Sequence, residues 1–390
     1  MAKPDLIIDD DDRYSRFRLI AWWDQDKLRR ATVLVVGAGA LGNEVLKNLT
    51  LLGIGTVYLI DFDHIEQSNL TRSVLFRQRD CGKLKAAVAA ESMRDLNPDI
   101  RVIPRAVDVT TDVGLGLFRD MDVVIGCLDN REARLWVNRS CWKVGTPWID
   151  GGIQEINGVV KVFVPPDSAC YECGMTDNDY RLINRRYSCP LLRQEDLQAG
   201  KVPTAPTISS MIGGLQTQEA LKLIHGLPVL AGKALVYNGI ANTFYQTSFQ
   251  RREDCLSHES YPRPLELPLR AAEHTVADLF AAVRSAMPAT APPLRLALDR
   301  DLVVSIDCAH CARSRPVMRV IQKTNAREAE CAECGQPARP IITHWIEQDS
   351  PLADQSLRAV GIPDYDIVRV HDATGQQVVL LAGDVPSSKP

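Results

Sequence analysis

Short apolar runs and longer helical-period stretches alternate through the first part of the chain. Thr32–Val36, Val57–Ile60, Ile100–Val107, Met121–Cys127 and Pro147–Gly151 are β-branched or otherwise apolar, and each is short enough to be a strand. Between them, residues 43–52, an alanine-rich stretch from Gly82 to about Leu96, residues 112–119 and Arg131–Lys143 carry helical spacing. Asn97-Pro98 stops the second of these. Strands alternating with helices predict a Rossmann-like, mostly parallel α/β sheet with helices on both faces. Further on, Ala205–Gly226 reads as an amphipathic helix whose Gly213-Gly214 allows close packing, and residues 233–250 as two closing strands. Arg13 to Phe17 opens a helix, whereas residues 174–206 are polar and irregular.

The last third has its own pattern. Proline-punctuated residues 261–268 read as linker. A helix at Thr275–Ala286 and strands near Leu294–Ile306, Arg339–His344, Ile367–Val370 and Val378–Ala382 suggest a small α+β domain. The expected division is therefore 1–258, with a loop at 174–206, then a linker at 259–268 and a C-terminal domain at 269–390.

The first strand runs directly into Gly37-Ala38-Gly39-Ala40-Leu41-Gly42, and a helix follows. Glycines let the backbone turn tightly and approach a phosphate, and the helix N-terminus offers free N–H groups to an anion. Asp61, nineteen residues after Gly42, ends the second strand, where a Rossmann unit places the carboxylate that holds a ribose. Gly39, Asp61 and Asp129 all fall at the carboxyl ends of strands, where such sheets bind ligands. Lys83 and Lys85 stand near a helix start, an unfavourable place for cations unless an anion is present.

Composition narrows the classes. A chain of 390 residues with 45% hydrophobic and 24% charged residues is ordinary for a globular protein of two or three domains. A net charge of −4 gives no sign of a nucleic-acid partner. No apolar run approaches membrane-span length, and no secretory signal is visible, so a cytoplasmic location is expected. Six of the eleven cysteines lie in three C-x-x-C pairs, which in this context suggests metal. Cys308/Cys311 and Cys331/Cys334 are separated by nineteen residues, the spacing of a zinc ribbon.

The segments GAGALG, IDFDHIEQSNLTRSVLFRQRDCGKLKA, CLDNREARLWVN and WIDGGIQEINGVVKVFVPPDSACYEC resemble the adenylation domain of the ubiquitin-activating enzyme family. That family includes the bacterial adenylyltransferases of molybdopterin and thiazole synthesis. The resemblance runs in register from about Arg13 to His258. It implies ATP with Mg²⁺, and a small ubiquitin-like β-grasp protein whose C-terminal carboxylate is joined to AMP. It also implies residue roles. Gly37, Gly39, Gly42, Asp61, Asp63, Asn69 and Asn130 would line the nucleotide site, with Asp61 on the ribose. Arg72 and Lys85 would hold the triphosphate, and Asp129 the magnesium. Arg16 would enter the neighbouring subunit's site in a homodimer. Ser73 stands where family members often carry glutamine.

Cys170 and Cys173 match half of the family's structural zinc site. The distant half would be Cys255 and His258, with histidine in place of the usual cysteine. With Cys308, Cys311, Cys331 and Cys334, two zinc ions per chain are expected. In the family, a crossover loop can carry a cysteine that takes the acyl group as a thioester, and Cys189 is the candidate; Cys81, Cys127 and Cys141 are poorer ones. The C-terminal module faintly resembles a β-grasp ending and by analogy would recruit a conjugating enzyme. An adenylyltransferase for a sulfur-carrier protein, a NAD-dependent oxidoreductase and an inactive scaffold are the competing readings.

Overall fold

Apolar runs bounded by turns become the sheet. The strands are β1 (Thr32–Val36), β2 (Thr56–Ile60), β3 (Arg101–Arg105), β4 (Val123–Gly126), β5 (Trp148–Gln154), β6 (Asn157–Phe163), β7 (Lys233–Asn238) and β8 (Thr243–Ser248), in the order β3-β2-β1-β4-β5-β6-β7-β8. The first five run parallel. In β1, β2 and β4 nearly every residue is buried, as a strand covered on both faces requires. The alternation predicted from sequence stops at β5. There the chain turns back through Glu155 and Ile156, with Glu155 at φ 53°, and β6, β7 and β8 add on antiparallel.

The computed structural model describes residues 12–188, 203–287, 292–324, 328 and 330–384. They form two units. The first takes its described residues from 12–109, 118–175 and 203–260; the second takes 110–117, 176–188 and those from 261 onward.

In the first unit, α1 (Gln25–Arg30), α2 (Ala40–Leu52), α3 (Lys85–Leu96), α5 (Arg131–Val144) and α7 (Pro206–His225) surround the sheet; α4 (Leu115–Arg119) and α6 (Asp177–Ser188) are the remaining helices before the C-terminal region. The core joins Val33, Val35, Leu46, Leu49, Leu59, Met93, Ile125, Ile149, Val162 and Ile212, all almost fully buried. Cutting one of these leucines to alanine costs about 3 kcal/mol through lost burial and the cavity left. α7 packs on α2 and on β4, β5 and β6. It is not the simple amphipathic helix its sequence suggests, because it buries Gln216, Thr217 and Glu219 beside Ile208 and Ile212. Of its two glycines only Gly213 is needed for packing: a Cβ there would lie 2.7 Å from Glu44 Cβ, whereas Gly214 faces open space.

Several boundaries differ from the sequence reading. Ser15–Leu19 is a single 3-10 turn. The stretch read as irregular after residue 174 contains α6, whose start is capped by Thr176 and Asp179 bonding to each other's backbone N–H. A T-x-x-D cap is the local signal for this helix inside an otherwise polar segment.

The second unit holds β9 (Leu265–Leu267), α8 (Val276–Ala286), β10 (Arg295–Asp307), β11 (Ser314–Val320), β12 (Arg339–Glu347), β13 (Ile367–His371) and β14 (Gln376–Leu381). Its sheet runs β11-β10-β13-β14-β9, with β12 also on β10. β9 lies inside the stretch read as linker; three residues between prolines carry too short an alternation to stand out, and pairing with β14 supplies the order. β11, with a proline at its third position, was likewise unread and depends on β10. β10 changes register between Ala297 and Leu302, so one strand serves the main sheet first and the cysteine-bearing hairpin after.

Arg300 and Asp366 are buried together in this unit, 3.1 Å apart. Arg300 also donates to the Thr110 and Val113 carbonyls, and Asp366 accepts from Leu115 N–H. Burial raises the Asp366 carboxyl above the usual range, against the pull of Arg300 and the two N–H donors. Gly114 and Gly116 lie against residues 364–366, where a Cβ would come within 2.5 Å of carbonyl oxygens.

Candidate active site and metal clusters

β1 ends at Gly37, whose φ of 100° and distance to Cys127 O, 2.3 Å from an added Cβ, admit only glycine. Gly42 is equally confined, with Gly37 O 2.0 Å from an added Cβ. Gly39 caps α2 and has nothing within 4 Å on its Cβ side, so the helix start is open to a ligand. Asn43, in the first turn of α2, is fully buried. It donates to Ala38 O at 2.8 Å and Gly39 O at 3.0 Å and accepts from Leu75 N at 2.9 Å. It fixes the glycine loop to the segment after Arg72. The sequence reading missed it; an asparagine amid apolar positions of a helix start was the available signal.

Asp61 leaves β2 and meets that loop directly. Its Oδ2 accepts from Ala38 N at 2.7 Å and its Oδ1 from Asp63 N at 2.8 Å. Burial holds its carboxyl above the usual range, against the Ala38 N–H and nearby Lys85. Lys85 opens α3 and pairs with Asp63 at 2.8 Å. That pairing compensates a cation at a helix N-terminus. Asn69 sits in the 3-10 turn Gln67–Thr71, its Oδ1 taken up by Glu66 N at 2.9 Å. Arg72 ends the turn and donates to Ser68 O at 2.8 Å.

Asp129 follows β4 and is exposed, and its Oδ1 accepts from Asn130 Nδ2 at 3.4 Å. Asn130 spends its Oδ1 capping α5, on Ala133 N at 2.8 Å. Arg16 is exposed on the Ser15–Leu19 turn and bonds to none of these residues. Thus the structure joins Asp61 to the glycine loop and Lys85 to Asp63, and does not bring Arg16 into that set. Cys189 lies outside the described residues. Cys127 and Cys141 are poor nucleophiles, because burial pushes both thiols far up.

Among the described residues there are two four-residue clusters. The sulfurs of Cys170, Cys173 and Cys255 and a ring nitrogen of His258 lie within 4.8 Å of one another, as do the four sulfurs of Cys308, Cys311, Cys331 and Cys334. Both donor sets could hold zinc. In the first, a hydrogen bond from Cys170 favours the Cys255 thiolate, the form a metal needs. His258 stacks on Trp142 at 4.9 Å, and Asn138 ties the turn at Tyr171 to Ser257 and Trp148.

This is a nucleotide-type α/β unit with a thiol–imidazole cluster on its flank. The ThiF family pattern matches residues 12–257, and the chain belongs to that family. Among its relatives is the sulfur carrier protein adenylyltransferase of Thermus thermophilus, 34% identical over 59% of this chain and 83% of that protein. Ubiquitin-like modifier-activating enzyme 5 of Dictyostelium discoideum is 28% identical over 59% of this chain and 62% of that protein. Among solved structures, E. coli MccB with ATP matches at a TM-score of 0.54 and 25% identity, covering 65% of this chain and 76% of that one. The second unit from residue 261 on lies beyond the family match. Among the described residues no helix is long and apolar enough to cross a membrane.

Proposed function

We propose that the protein uses ATP to activate the C-terminus of a ubiquitin-like β-grasp protein. The observation that carries this is the direct bond between Asp61 and the glycine loop, which sets a ribose-type carboxylate beside an open helix start. The substrate carboxylate is ionised at neutral pH, so no base is needed. One carboxylate oxygen bonds to the α-phosphorus of ATP, and the bond to the β-phosphate oxygen breaks, releasing pyrophosphate. The obstacle is anion meeting anion, so the work falls to cations and positioning. Arg72 and Lys85 neutralise the triphosphate, with Lys85 exchanging Asp63 for phosphate oxygens. Asp129, exposed and lightly engaged, would hold Mg²⁺, which when bound offsets charge on the phosphates. The Gly39 N-terminus of α2 and the Asp61 carboxylate orient the nucleotide, and Asn69 adds a polar contact.

A second step follows in this reading. The Cys189 thiolate attacks the adenylate carbonyl, a C–S bond forms, and AMP leaves. The raised thiols of Cys127 and Cys141 support Cys189 as the nucleophile. The acyl group then passes to a conjugating enzyme recruited by the C-terminal module. The enzyme would work as a homodimer in the cytoplasm, where thiols stay reduced, with zinc in both clusters and Arg16 completing the partner's site. Mixing inactive Arg16→Ala with inactive Asp129→Ala chains is then expected to restore part of the activity; no recovery after subunit exchange rules Arg16 out of that role.

A second reading, supported by the Thermus relative, is adenylation of a sulfur-carrier protein with no obligatory thioester. The two separate on one gel. With its β-grasp substrate, the wild type is expected to form an adduct that survives SDS and is cleaved by a reducing thiol, and Cys189→Ala to lose it. No adduct in wild type favours the sulfur-carrier reading. An adduct that persists in Cys189→Ala and is lost on substituting Cys81, Cys127 or Cys141 rules out Cys189 as the nucleophile.

A further inference from the structure

The turn bearing Asp129 is held from behind by one arginine. Arg134, one turn into α5, donates from Nη2 to the Leu128 carbonyl at 2.5 Å and to the Gly151 carbonyl at 3.0 Å. Its Nε donates to Asp150 Oδ1 at 2.9 Å. Asp150 is fully buried, and its second oxygen lies 3.4 Å from Lys161 Nζ. β4 and β5 are neighbours, with Gly126 opposite Asp150. A single planar guanidinium therefore ties the peptide immediately before Asp129 to the adjacent strand, at the carboxyl edge of the sheet.

We propose that Arg134 is a positioning residue for the divalent cation: it touches neither metal nor nucleotide, and it sets where the Asp129 carboxylate stands. The inference rests on the adenylation reading. Geometry requires arginine here, because a fork is needed to serve two carbonyls and a carboxylate at fixed angles; an ammonium is a single point charge on a flexible stem. The Asp150 charge, buried and shared with Lys161, keeps the fork in one orientation. Loss of such supporting partners typically weakens metal binding about 10- to 100-fold.

The probe is Mn²⁺ in the presence of saturating α,β-methylene-ATP. Water-proton relaxation enhancement distinguishes enzyme-bound from nucleotide-bound ion. Arg134→Lys is expected to weaken enzyme-bound Mn²⁺ about tenfold, at the low end of that range. Asp150→Asn, which keeps shape and loosens the fork, is expected to weaken it less, in the same direction. A merely structural role would lower thermal stability and leave the Mn²⁺ affinity where it was; that result in either folded variant overturns the proposal. If Arg134→Lys does not fold, Asp150→Asn decides alone. Absence of analogue-dependent enhancement in the wild type removes the adenylation reading and this inference with it, whereas a wild-type signal unmoved by the variants removes the inference only.

Discussion

The two units each gather four ligand side chains within 4.8 Å, and they do so in opposite ways. In the first, Cys170 and Cys255 meet across 85 residues; in the second, Cys308 and Cys334 meet across 26. Closing the longer loop costs only about 1 kcal/mol more, so span is not the main difference. Surroundings are. Around the first cluster, Glu172 is fully buried, bonded by Arg139 at 2.6 and 3.2 Å and by the Ser257 hydroxyl. Asn138 and Trp142 join the same turns to α5. Among the described residues, those around the second are Val303, Ile306, Ala338 and a few half-buried neighbours, a group apart from the core of Leu279, Phe280, Val370 and Val379. One cluster is built into its unit and the other terminates a hairpin.

The largest consequence follows from that. Replacing both Cys170 and Cys173 by serine is expected to prevent the first unit from folding, since structural zinc contributes roughly 10 kcal/mol, as much as a domain's whole stability. Replacing Cys308 and Cys334 is expected to lose one zinc and loosen the hairpin, with pyrophosphate exchange kept within about twofold, because local opening need not spread. Elemental analysis alongside exchange reads both. Equal damage from the two pairs breaks the comparison.

Next in size is Arg300→Met in the second unit. It strands Asp366 in a buried site, at a cost of about 3–5 kcal/mol. Chemical unfolding should show that loss in the second unit while the first unit stays folded. A change under about 1 kcal/mol would mean the pair is not isolated from water.

Smaller still is the effect at His258. His258→Cys is expected to retain zinc, as a fourth thiolate also suits tetrahedral zinc, whereas His258→Ala releases it faster to a chromogenic chelator. Identical release from both variants and wild type would remove His258 from the ligand set.

What was legible in the sequence follows the same division. β1, β2 and β4 announce themselves because strands buried on both faces are continuously apolar. The glycine loop, Asp61 and the cysteine pairs carry fixed spacings, so they were readable too. β9 and β11 were not, because their order comes from pairing with β14 and β10 rather than from their own residues. Asn43, Arg134 and Asp150 were also missed. Asn43 and Arg134 work by bonding backbone groups of other segments, Leu75 and Gly151 among them, and Asp150 by holding the Arg134 side chain; apart from an asparagine amid apolar helix positions, no local pattern marks these contacts.

The central claim is that the glycine-loop edge of the first unit adenylates a β-grasp protein. The most direct test is exchange of labelled pyrophosphate into ATP. The account predicts exchange that requires Mg²⁺ and the β-grasp substrate, persists in Cys189→Ala, and falls to background in Asp129→Ala. Tight NAD binding with no ATP binding, or full exchange by Asp129→Ala, would contradict it.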